Sequence, residues 1–167
     1  MKIIAPIVCV AALFTCCQNS APVKPDEAMT SAVEAAAAGS YDRPGFIAIE
    51  KEGRLTVFCA ESEDLASFRK SGDLIKCVTR IGAGPNGMTV RAPDAETIDG
   101  YALSRPGFAA RVSDGRIWVF AAGSKDFATY CSVGEPAKCV TLIGAGPGGE
   151  TVKSSDAAVI EAWKKAL

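Results

Sequence analysis

The side chains with the most chemical potential in this sequence are its cysteines. Three lie within the first seventeen residues, and the other four are Cys59, Cys77, Cys131 and Cys139. Histidine is absent, which excludes a Ser-His-Asp triad and any histidine-bearing metal site. No local arrangement pairs a nucleophile with a base, so the sequence predicts no catalytic residue, no cofactor-binding residue and no metal ligand.

Two glycine-rich segments, 82–87 and 144–149, satisfy the pattern G-x-G-x-x-G. That pattern binds a pyrophosphate only where the glycines open a helix inside a βαβ unit. Here β-branched residues and Pro93 follow the first segment, and the second lies too near the C-terminus for the rest of a dinucleotide fold. We expect two tight strand-to-strand turns, with binding of a smaller anion or a partner by the loop amides as the alternative.

The N-terminal segment of the sequence has the features of an export signal. Lys2 precedes an apolar run over 3–14 that is too short to span a bilayer. Its end, Leu13-Phe14-Thr15-Cys16, resembles the lipobox of bacterial lipoproteins, in which the cysteine is lipidated and becomes the first residue of the mature chain. The resemblance implies lipidation of Cys16, with Cys17 or plain secretion after cleavage near Ala21 as alternatives.

We therefore expect the protein in the bacterial cell envelope, held by acyl chains at the outer membrane or the periplasmic face. Residues 1–15 are the predicted signal segment, and 16–42 are a tether that includes an Ala-rich helix over 26–38.

The rest of the chain is a duplication. A gapless shift of 62 positions aligns Arg-Pro-Gly-Phe at 43–46 with 105–108, and Lys-Cys-Val-Thr at 76–79 with 138–141. The repeat predicts two modules, 43–104 and 105–167. Turn signals, Ser62 and Ser124 as helix N-caps, and apolar spacing predict a ββαββα order in each. The predicted fold class is α+β. One such module buries only about 60% of its unfolded surface, so we expect the two to pack together.

The four later cysteines do not recur as matched pairs. Cys77 aligns with Cys139, whereas Cys59 aligns with Ala121. In an oxidising envelope each module could close its own disulfide, Cys59 with Cys77 and Cys131 with Cys139. Pairing of Cys77 with Cys139, or four buried unpaired thiols, are the alternatives, because four cysteines permit three connectivities.

Arg54 and Arg116 stand at equivalent positions in the two modules. A basic residue repeated in this way is a candidate for lining a ligand site, and an ordinary surface role at a strand end is the alternative.

The first hairpin resembles a known family. Residues 47–59, followed by a helix with Leu65 and Phe68, resemble the hairpin-helix unit of YHS-type domains. They are also similar to the copper-carrying lipoproteins that assist nitrous oxide reductase assembly. The paired-cysteine and methionine signature of that family has no counterpart here, although Cys59, Cys77 and Met88 are soft ligands of the kind that copper(I) prefers.

The charge balance argues against nucleic acid as a partner, since 18 lysines and arginines face 19 acidic residues. We expect a non-enzymatic cell-envelope lipoprotein, acting as an interaction or ligand-binding module for an unknown envelope protein or small ligand. A copper-carrying accessory lipoprotein, a histidine-free periplasmic enzyme and an envelope spacer are the alternatives.

Overall fold

The computed structural model describes residues 41–167. Cys16, the signal segment and the Ala-rich helix expected from the sequence lie outside these residues. Within them no helix is long and apolar enough to cross a membrane.

Each module has the predicted ββαββα order, so the α+β prediction is confirmed. The first contains β1 (Phe46–Lys51), β2 (Arg54–Cys59), α1 (Glu63–Ser71), β3 (Val78–Arg80), β4 (Thr89–Ala92) and α2 (Ala95–Leu103). The second contains β5 (Phe108–Ser113), β6 (Arg116–Ala121), α3 (Lys125–Val133), β7 (Val140–Leu142), β8 (Thr151–Ser154) and α4 (Ala157–Lys165).

Each module forms one four-stranded mixed sheet. The strand orders are β1-β2-β4-β3 and β5-β6-β8-β7. The central pairs β2–β4 and β6–β8 are parallel, while the outer pairs are antiparallel. In the parallel pair of the first sheet Arg54 lies beside Thr89, and Thr56 lies beside Arg91. This register sets which side chains share a face.

Local capping chemistry explains where the first helix of each module begins. Ser62 and Ser124 accept hydrogen bonds from the backbone amides of Leu65 and Phe127, both at 3.2 Å, as predicted for N-caps. Asp94 caps α2 in the same way through the amide of Thr97, at 2.6 Å. These bonds satisfy amides that have no partner within the helix.

One face of each sheet packs against the module's closing helix. In the first core Leu55, Val57 and Val90 meet Ile98 and Tyr101 of α2. In the second core the corresponding strand residues meet Ile160 and Trp163 of α4. Full burial of each such side chain contributes roughly 1.5–3 kcal/mol relative to exposure.

The opposite face of each sheet is covered by the first helix of the module, α1 or α3. In the first module Phe58 packs on Phe68 of α1, with ring centroids 4.9 Å apart. In the second module Phe120 packs on Phe127 and Tyr130 of α3. Since side chains alternate along a strand, Leu55 and Val57 face α2, whereas Arg54 and Thr56 share the α1 side with Phe58.

Helix α2 joins the two modules. A Cβ on Gly100 would lie 3.0 Å from the Ala110 carbonyl oxygen and 2.9 Å from Phe46 Cζ, so glycine permits α2 to approach β5 closely. Leu103 at its end packs into the second core, and its carbonyl accepts a 2.9 Å hydrogen bond from Trp163 Nε1. The modules therefore pack together, as expected from their small size.

The two glycine-rich segments are turns between strands. Gly84 N donates to Met88 O at 2.9 Å, and Gly146 N donates to Glu150 O at 2.9 Å. The first segment contains a single 3₁₀ turn, Pro85–Gly87, and then strand β4 begins. No helix opens at either loop, so the geometry that holds a pyrophosphate is not formed.

Candidate functional site

The α1 side of the first sheet is only partly covered. Helix α1 covers the end that contains Phe58, and a cavity of about 410 Å³ lies at the other end. Residues from β2, β3, β4 and their flanks line it, and they are Arg54, Cys77, Thr79, Ile81, Thr89 and Arg91. The cavity thus combines two guanidinium groups, two hydroxyls and one thiol.

The strand register brings these groups together. Arg54 pairs with Thr89 across β2 and β4, and Thr79 pairs with Arg91 across β3 and β4. Cys77 lies two residues before Thr79 and so falls on the same face. Residues that are far apart in sequence thereby become neighbours on one face.

Arg91 is held beside the thiol. Its Nη2 donates to Cys77 Sγ at 3.4 Å, and this hydrogen bond lowers the pKa of the Cys77 thiol. The Asp73 carboxylate lies 3.9 Å from the same nitrogen, but its side chain is 80% exposed. Asp73 Oδ1 also accepts from the backbone amide of Leu74 at 2.8 Å, so it is engaged in its own turn.

The Arg54 side chain is exposed, and its guanidinium forms no hydrogen bond or ion pair with any residue between 41 and 167. Its charge is available at the mouth of the cavity.

The second module shows the equivalent site occupied by a carboxylate. Glu135 accepts a hydrogen bond from Lys153 Nζ, and Cys139 Sγ lies 3.9 Å from the same carboxylate oxygen. The hydrogen bond from Lys153, with a smaller contribution from the charge of Arg116, lowers the pKa of Glu135. Arg116, Cys139 and Lys153 are the counterparts of Arg54, Cys77 and Arg91. The chain therefore supplies its own carboxylate to this site.

Two substitutions between the repeats explain why the first site stays open. Asp73 replaces Glu135 and is one methylene shorter. Thr56 replaces Trp118, whose ring lies 4.5 Å below Lys153 Nζ and fills the sheet surface in the second module. The smaller Thr56 leaves room beside Arg91.

A second cavity, of about 450 Å³, lies where the two modules meet. At its edge Arg111 is 8% exposed, and it donates to Cys59 Sγ and, at 3.1 Å, to Gly45 O. Its guanidinium carbon also lies 4.5 Å from the Phe46 ring centroid. The Arg111 guanidinium is thus already engaged by protein groups from the first module, and its role is to join the modules.

The disulfides expected from the sequence are not formed, and all four cysteines between residues 41 and 167 are free thiols. Cys59 packs on the α2 side of the first sheet, while Cys77 lies on the α1 side. Cys131 contacts Arg111, whereas Cys139 contacts Glu135, so neither expected pair meets. The alternative of unpaired thiols is confirmed, but the burial expected for them is wrong, because Cys77 and Cys131 are exposed.

Because Cys59 and Cys77 lie on opposite faces of the first sheet, they are not placed to bind one copper ion together. In the part of the chain described, no group of three or more cysteine, aspartate or glutamate side chains is placed to hold a metal ion. Burial raises the pKa of the Cys59 thiol, with the charge of Arg111 opposing it. A neutral thiol is a poor nucleophile.

Arg54 and Arg116 were the candidate ligand residues in the sequence, and the structure places them in separate sheets rather than in one shared cavity. Arg91, Lys153 and Glu135 were missed. Their signal was present, since Arg91 and Lys153 are both basic and align at the 62-residue shift. This repeated basic residue could be assigned to a site only after β2 and β4 were known to be neighbours.

No protein family, no curated protein and no solved structure matches this chain.

Proposed function

We propose that the protein is a non-enzymatic, lipid-anchored cell-envelope protein that binds a small carboxylate-bearing ligand on its first module. The signal and Cys16 support the envelope location. The absence of histidine throughout the sequence supports binding rather than acid–base catalysis.

The observation that carries the proposal is the contrast between the two repeats. In the second module a carboxylate, that of Glu135, occupies the site formed by Lys153 and Cys139. In the first module the equivalent carboxylate, that of Asp73, only reaches within 3.9 Å of Arg91. A carboxylate from a ligand completes the first site as Glu135 completes the second.

The first site also favours a carboxylate more strongly than the second. Its two cations, Arg54 and Arg91, are both arginines, and a guanidinium matches the two oxygens of a carboxylate with paired hydrogen bonds. The hydroxyls of Thr79 and Thr89 add neutral donors in the same cavity. Because the site is open to water, we expect weak binding, with a Kd of about 0.1–1 mM.

Titration with succinate, followed by calorimetry or NMR, tests this function. We expect one saturable site for succinate and no binding of putrescine, which has similar length and opposite charge. Arg54→Gln and Arg91→Gln should each weaken succinate binding about fivefold to twentyfold. Arg116→Gln is the matched control at the repeat-equivalent position and should leave it unchanged.

A further variant tests the comparison between repeats directly. Asp73→Glu gives the first module the longer carboxylate of Glu135, which should occupy the site from within and reduce succinate binding. A wild-type protein without saturable succinate binding would contradict the proposal. Equal losses in Arg54→Gln and Arg116→Gln would do the same.

A further inference from the structure

The proposed carboxylate site contains a thiol that the binding of a carboxylate does not require. The thiol of Cys77 is exposed, lines the same cavity as Arg54 and Arg91, and lies 3.4 Å from Arg91 Nη2. An exposed thiol beside cationic side chains is the environment in which cysteines react.

We propose that Cys77 is a covalent capture site for small disulfides that carry carboxylates. The inference rests on the proposed function, because the arginines that bind a carboxylate also bring the disulfide to the sulfur. The ligand class is a low-molecular-weight acidic disulfide, for which glutathione disulfide serves as the probe.

The chemistry is one thiol–disulfide exchange. The Cys77 thiolate attacks one sulfur of the ligand, the ligand's S–S bond breaks, and a bond forms between Cys77 Sγ and that sulfur. The other half leaves as a thiolate and takes up a proton from solvent, equal to the one that Cys77 lost. Cys77 is oxidised, the departing sulfur is reduced, and the disulfide itself is the oxidant.

The charges around Cys77 favour the thiolate that this exchange requires. Arg91 on β4 and Arg54 on β2 are the cations that line the cavity, and the Asp73 carboxylate lies 3.9 Å from Arg91. The hydrogen bond from Arg91 lowers the pKa of the thiol, so the reactive thiolate persists to lower pH than in an ordinary cysteine. Arg54 then attracts the carboxylate of the incoming ligand.

The equivalent thiol in the second module provides an internal control. Cys139 is half-buried, and the carboxylate of Glu135 lies 3.9 Å from its sulfur. That carboxylate occupies the ligand's position and repels both a thiolate and an acidic disulfide. Cys77 and Cys139 therefore share the same repeat position but differ in the group that faces them.

The test measures the rate of mixed-disulfide formation at each cysteine by peptide mass mapping, with glutathione disulfide and with cystamine, a disulfide of opposite charge. We expect Cys77 to react with glutathione disulfide about tenfold faster than Cys139. Arg54→Gln should slow that reaction several-fold while leaving or raising the rate with cystamine. Arg91→Gln should slow both reagents, because it removes the hydrogen bond to the thiolate.

Equal rates at Cys77 and Cys139, or an Arg54→Gln effect that is the same for both disulfides, would overturn the proposal. The variant Cys77→Ser separates the two ideas, since succinate binding to it tests the carboxylate site without the thiol. Binding of succinate together with an unreactive Cys77 overturns only the capture reaction. A reactive Cys77 without charge preference, in a protein that does not bind succinate, overturns both.

Discussion

At the scale of single residues, Glu61 has a left-handed backbone conformation, which is sterically unfavourable for a residue with a Cβ. Its φ is 64°, and its repeat counterpart is Gly123 with a φ of 69°. Both residues immediately precede the serine that caps a helix. Glycine adopts this left-handed region without steric cost, whereas glutamate does not, and Glu61 lines the cavity between the modules.

We therefore predict that Glu61→Gly stabilises the protein by about 0.5–1 kcal/mol, measured as the free energy of unfolding in urea. The reciprocal change, Gly123→Glu, should destabilise it by about 1 kcal/mol, since a Cβ there meets no atom within 4 Å and only the backbone cost remains. Destabilisation by Glu61→Gly would contradict this assignment of strain.

At the scale of elements, helix α2 contains a glycine, Gly100, although glycine has a low helix propensity. Gly100 faces the backbone of β5, where a Cβ would lie 3.0 Å from the Ala110 carbonyl oxygen. The equivalent residue of α4, Ala162, is exposed. The contact with β5 therefore accounts for glycine at one position and alanine at the other.

Gly100→Ala should lower the free energy of unfolding by up to about 2 kcal/mol. The helix gains about 1 kcal/mol in propensity, but overpacking against rigid backbone costs about 1–3 kcal/mol. As a control, Ala162→Gly should cost about 0.5–1 kcal/mol through propensity alone. Urea unfolding measures both, and a stabilising Gly100→Ala would show that α2 and β5 are not so close.

At the scale of the whole molecule, Arg111 joins the two modules from β5. It contacts Gly45, Cys59 and the ring of Phe46, all in the first module, and Phe127 in the second. Because α2 and Arg111 both bridge the modules, we expect the described part of the chain to unfold as one cooperative unit.

Calorimetry should show a single transition in the wild type. Arg111→Ala should lower the free energy of unfolding by about 2–4 kcal/mol, because it leaves the Gly45 carbonyl without this donor and opens a void between aromatic rings. The control is Arg80→Ala, which removes an ion pair to Asp99 with both side chains more than a third exposed and should cost at most about 1 kcal/mol. Equal effects of the two changes would contradict a joining role for Arg111.

The features that could be predicted from the sequence are those determined by residues close together in the chain. Ser62 and Ser124 cap helices, the hairpins form where turn residues stand, and the glycine loops connect strands. The sequence did not predict the parallel pairing of β2 with β4, because that contact joins residues about 35 positions apart and leaves no local pattern. Without that pairing nothing in the sequence brings Arg54, Cys77 and Arg91 together. Arg111 carried no repeat signal at all, since Ile49 occupies its place in the first module.

That last difference bears on how a duplicated chain avoids pairing with itself incorrectly. Two modules of the same fold and related sequence can exchange partners, so that a first module docks where a second belongs, within one chain or between chains. In such a pairing Ile49 would stand where Arg111 stands now, and the Gly45 carbonyl and the Cys59 sulfur would face an aliphatic side chain. The buried Arg111 guanidinium therefore distinguishes the correct pairing of the modules from an incorrect one, and it does so on β5, the strand against which α2 packs.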